Sequence, residues 1–65
     1  MKITVVYQRK GNESVGDASD AVRALLEKEK EKILAATEQP LTFARAPEWH
    51  ESGQTLTAIL PYKVA

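Results

Sequence analysis

The chain has 65 residues, no cysteine and one histidine, and nine Lys plus Arg balance nine Asp plus Glu to a formal net charge of zero. That leaves room for one small domain, residues 1–65, and excludes both a disulfide scaffold and a closed Cys/His zinc site. Neutral charge argues against direct nucleic-acid binding through phosphate contacts, and no apolar run approaches the roughly 20 residues that cross a bilayer.

Ile3, Val5 and Tyr7 alternate with Lys2, Thr4, Val6 and Gln8, which predicts a first strand over 2–8 with one apolar face. Residues 9–16 read as a polar loop containing Gly11 and Gly16. Asp17 is the expected N-cap of a helix that runs to about Glu38 and stops before Pro40. Its apolar stripe is Ala18, Ala21, Val22, Leu25, Leu26, Ile33 and Ala36. The run from Glu27 to Lys32 alternates in sign, so Glu27–Lys30 and Glu29–Lys32 attract at i,i+3 on a solvated face. A helix of about 30 Å should overhang a strand of about 23 Å.

Leu41, Phe43 and Arg45 alternate with Thr42 and Ala44 in a second strand, and residues 46–53 form a turn-rich connector. Leu56, Ala58 and Leu60 alternate with Thr55, Thr57 and Ile59 in a third strand, which Pro61 ends or places at an edge. The expected fold class is α+β: a single β-α-β-β domain with a three-stranded mixed sheet and one long helix packed on one face. The first two strands should run parallel through a right-handed crossover, and the third should pair antiparallel with the second. Ile3, Val5, Leu41, Phe43, Leu56, Ala58 and Leu60 are placed against Val22, Leu25, Leu26 and Ile33. The other face shows Thr4, Val6, Thr42, Ala44, Thr55, Thr57 and Ile59.

No enzyme is expected. His50 has Ser52 and the carboxylates Glu48 and Glu51 nearby, yet no nucleophile elbow frames them and no metal-ligand spacing occurs. Gly11 and Gly16 precede a helix start, but the phosphate-binding glycine patterns are absent. Neither cofactor nor metal is therefore expected. Trp49, the single tryptophan, stands among Arg45, Glu48 and His50, and tryptophan and arginine are the types most enriched in binding hot spots. Trp49 is either an exposed anchor or a lid folded over the core. If it is an anchor, Trp49→Ala should leave the fold intact and weaken binding by about 2 kcal/mol.

These residues predict a non-enzymatic protein-binding module that inhibits or adapts a larger host complex by steric occlusion. Its expected contacts are Arg45, Glu48, Trp49 and His50, with Glu27 and Glu31 in second place. So small a core, with neither disulfide nor metal, also predicts a homodimer, through the face around Val6 and Ile59 or by pairing of strand edges. Met1-Lys2-Ile3-Thr4 opens no signal-peptide pattern, so a cytoplasmic location is expected.

The chain resembles two groups. In size, single-domain character and lack of a catalytic constellation it is similar to the small stand-alone inhibitors of phages and mobile elements, including anti-CRISPR proteins. In β-α-β-β order and length it resembles dodecins, which are small flavin-binding proteins that assemble into shells. Their aromatic stacking position opens the second strand, where this chain has Leu41-Thr42-Phe43, with Trp49 further along. That resemblance implies the alternative reading, a homo-oligomer binding an aromatic ligand on Trp49 or Tyr62.

Overall fold

A computed structural model describes residues 1–65. The elements are β1 (Lys2–Gln8), α1 (Val15–Ala36), β2 (Leu41–Phe43), β3 (Glu48–Ser52) and β4 (Thr55–Val64). The domain is α+β, with one long helix packed on one face of a sheet. In place of the expected three-stranded mixed sheet there are four strands, all paired antiparallel. β4 is central, with β1 on one side and both β2 and β3 on the other. β1 and β2 share a direction, as a helical crossover requires, but β4 lies between them. The last strand fills the gap because Leu56, Ala58 and Leu60 are the most deeply buried row in the sheet.

The connector expected over 46–53 is largely strand. Ser52 pairs with Thr55, so only Gly53 and Gln54 turn the β3–β4 hairpin. Gly53 takes a φ of 59°, the glycine-first sign pattern of a type II′ turn.

Pro61 does not end β4, which continues to Val64. Arg9 N donates to Gln54 O at 2.8 Å and Tyr62 N to Met1 O at 2.9 Å. Even-numbered residues of β4 therefore turn their backbone to β1, and odd-numbered ones, Pro61 included, turn theirs to β2 and β3. Pro61 has no N–H to offer on that side, and its carbonyl accepts from Ala44 N at 3.0 Å. The outer row bulges at this point: Ala44 faces Pro61 and Glu48 faces Ile59, so the outer chain contains two residues more than β4 between them. β2 and β3 are thus one edge row broken where β4 cannot donate.

α1 begins earlier than expected. Ser14, rather than Asp17, is the N-cap, and its Oγ accepts from Asp17 N at 3.1 Å while the Asp17 carboxylate sits in the positive first turn. The helix ends at Ala36, with Thr37 as C-cap. Ala18, Val22 and Leu26, four residues apart, join Ile3, Val5, Leu56, Ala58 and Leu60 in the core. Tyr7, Ile33, Phe43, Trp49 and Tyr62 pack around it. Leu25, expected inside, is 39% exposed, because it lies about 60° around the helix from Val22. The overhang is expected against a seven-residue strand, whereas the ten residues of β4 span about 33 Å, the same as the 22 residues of the helix. Glu27–Lys30 and Glu29–Lys32 form the expected i,i+3 pairs, each at 3.5 Å and in solvent, where such pairs stabilise little. No helix is long and apolar enough to cross a membrane.

Candidate functional site

The break between β2 and β3 shapes the most concave surface. Residues 44–47 bow outward and leave a groove of about 300 Å³ against α1, walled by Arg23, Leu26, Glu27 and Lys30 on the helix and by Arg45 and Pro47 on the connector. Glu27 is paired with Lys30 at 3.5 Å. Arg23 and Arg45 have no carboxylate partner, since the ion pairs join Arg9 to Glu51, Lys30 to Glu27 and Lys32 to Glu29, and Glu48 lies beside the His50 imidazole. The Arg23 guanidinium instead lies over the Trp49 ring, 5.7 Å from its centroid, and Lys30 Nζ lies 5.1 Å from the Phe43 centroid. Two cation–aromatic stacks thus hold one flank of the helix in place, and neither the Arg23 nor the Arg45 guanidinium is neutralised by a carboxylate.

The expected contact residues are divided by the pleat. Successive residues of a strand point to opposite faces, so Trp49 lies on the helix side and its neighbours Glu48 and His50 on the open side. Trp49 is half-buried against the core, as a lid would be. His50 Nε2 is 3.9 Å from Glu48 Oε2, with both side chains largely in water. Val6, 63% exposed, and half-buried Ile59 share that open face as diagonal neighbours, because Val6 pairs with Thr57 and Thr4 with Ile59. Arg45 and Glu27 meet at the groove, whereas Glu31 is on the helix side turned away from the sheet. Sequence reasoning missed Arg23. Its spacing to Glu27 and Lys30 places all three on one helix flank, but which strand row that flank faces depends on the topology.

The loop between β1 and α1 is fastened to the sheet. Arg9 reaches Glu51 at 3.3 Å and the Gly53 carbonyl at 3.3 Å, tying β1 to the hairpin turn. The Tyr7 hydroxyl donates to the Glu13 carboxylate at 3.0 Å, and Lys10 N donates to the same group at 3.3 Å. That hydrogen bond, followed by desolvation and the negative charge of Glu13, raises the Tyr7 pKa above its ordinary 10.0. The fold favours the neutral phenol, so this contribution to stability is complete below pH 10.0 and is lost as pH rises through the raised value. Glu13→Gln is expected to return one tyrosine titration toward its ordinary position and to flatten the alkaline loss of stability. Tyrosinate absorbance and denaturation across that range read both, and an unchanged titration would contradict the pairing.

Compared with protein-family models, with curated proteins and with solved structures, the chain matches none.

Proposed function

We propose that this domain is a non-enzymatic protein-binding module, an inhibitor or adaptor that occludes part of a larger complex, as the small inhibitors of phages and mobile elements do. The groove between α1 and residues 44–47 is its contact surface. The observation that carries this reading is the pair of guanidiniums without a carboxylate partner, Arg23 and Arg45, on opposite walls of that groove. Arginine in a concave site with apolar walls, here Leu26 and Pro47, combines contact area with bidentate recognition of carboxylates. A partner that presents an acidic segment fits these walls.

The test is capture from source or host lysate by tagged wild type, Arg45→Glu and Lys63→Glu, the last making the same charge change on the open face. One complex held by wild type and by Lys63→Glu, and weakened tenfold or more by Arg45→Glu, is the expected result. Equal capture by all three forms would remove the groove from the reading. A homo-oligomer carrying a small chromophore, with no protein retained, would favour aromatic-ligand storage instead.

A further inference from the structure

β1 is an edge of a kind that soluble domains rarely leave open. Its odd-numbered residues make the ladder bonds to β4, so the backbone N–H and C=O groups of Lys2, Thr4, Val6 and Gln8 point outward in a row. The strand is seven residues long, keeps one register throughout, and contains neither proline, glycine nor bulge. Its one charge, Lys2, stands at the end rather than the middle, where it would discourage pairing. The opposite edge is broken and short by comparison, since β3 has five residues and β2 three.

We infer that this edge pairs antiparallel with β1 of a second copy, joining two sheets into one of eight strands about a two-fold axis through Val5. The surface lies across the sheet from the Arg23–Arg45 groove, so the inference does not rest on the proposed function. Three features select a second copy as the occupant. The first is register. A two-fold at Val5 sets Lys2 opposite Gln8 and Thr4 opposite Val6, so up to about eight backbone bonds form with no like charges opposed. On the helix side the same register sets Val5 against Val5 and Ile3 against Tyr7.

The second feature is helix spacing. Arg23 and Lys30 meet Trp49 and Phe43 on the β2–β3 side, so the flank bearing Ala21, Leu25, Lys28 and Lys32 faces the β1 edge. α1 rests across β1 and β4. With strands about 4.8 Å apart, two such helices come to lie roughly 10 Å from axis to axis, the distance at which helices pack. Leu25, the half-exposed residue that the monomer does not bury, is on that flank. The two-fold makes the helices antiparallel, so the acidic Asp17 end of each runs toward the partner's Lys28 and Lys32.

The third feature is length. Along that flank β1 runs about 23 Å and α1 about 33 Å, so strand edge and helix flank both meet their counterparts in the second copy. The open face is less suited to self-packing. Its larger apolar residues, Val6, Ile59 and Pro61, are interspersed with Lys2, Glu48, His50 and Lys63.

Sedimentation equilibrium of wild type is expected to give twice the 7.2 kDa chain mass at tens of micromolar. Thr4→Lys with Val6→Lys puts lysines directly opposite one another across the two-fold and should halve that mass while circular dichroism stays unchanged, because both side chains are in solvent in the single copy. Thr57→Lys, at the centre of the open face, should remain dimeric. Hydrogen exchange on unmodified protein gives a reading free of any folding defect: the Thr4, Val6 and Gln8 amides should exchange at least 100-fold more slowly in the dimer and lose that protection on dilution. A monomeric wild type, unprotected outward amides, or a dimer broken by Thr57→Lys but not by the β1 double variant would each overturn the inference.

Discussion

Leu26→Ala is expected to cost about 3 kcal/mol, most of the protein's net stability. Leu26 lies in the innermost row of α1 with Ala18 and Val22, in one core cluster with Ile3, Val5, Leu56, Ala58 and Leu60. Truncating a buried leucine removes its transfer free energy and leaves a cavity, together about 2 to 5 kcal/mol. Eight buried residues make up the whole core, and domains of this size rarely hold more than about 3 to 5 kcal/mol of net stability. Leu34→Ala, at a site 48% exposed, is the control and should stay within about 1 kcal/mol. Urea unfolding followed by circular dichroism separates the two, and equal midpoints would show that the helix is not docked through the Leu26 row.

Trp49→Ala is expected to act on the fold, at about 2 kcal/mol, rather than on binding alone. The indole packs against the core from β3 and carries the Arg23 guanidinium on its ring, so its removal uncovers the core margin and frees Arg23. Full burial would raise the cost to about 3 to 5 kcal/mol, and the half-exposed position lowers it. The expectation of an unaltered fold belongs to the anchor reading of Trp49; the lid reading expects a cost in stability, and residue 49 faces α1. A double-mutant cycle with Arg23→Ala should return a coupling of about 0.5 to 1 kcal/mol, the range for an exposed cation–aromatic contact. Wild-type stability in Trp49→Ala would place the indole outside the packing. Partner binding is then tested more cleanly through Arg45, whose loss leaves the core untouched.

Across its ends the dimer inferred from β1 would carry two outward grooves, one per copy. Binding a repeated or two-fold partner could then gain from both at once, by the effective concentration of the second site. The charge reversal at Arg45 and the β1 double variant separate these contributions, because they lie on opposite edges of the sheet.

The sequence by itself determined the elements whose signal is periodic. Alternation of Ile3, Val5 and Tyr7 specifies β1, four-residue spacing of Ala18, Val22 and Leu26 specifies α1, and alternation of Leu56, Ala58 and Leu60 specifies the start of β4, because each pattern creates an apolar face that must be covered. The i,i+3 ion pairs were legible for the same local reason. Only the tertiary structure decided the rest. Glu48-Trp49-His50-Glu51-Ser52 has little strand character of its own and becomes β3 because a two-residue turn returns it to β4. Pro61 is tolerated inside β4 because its missing donor faces the bulge, a matter of which neighbour lies on which side. That bulge brings Arg45 opposite Arg23, and the position of β4 between β1 and β2 leaves the β1 edge open. Hydrophobic period fixes which residues face inward, but the order of strands depends on how distant segments share the backbone hydrogen bonds of one central strand.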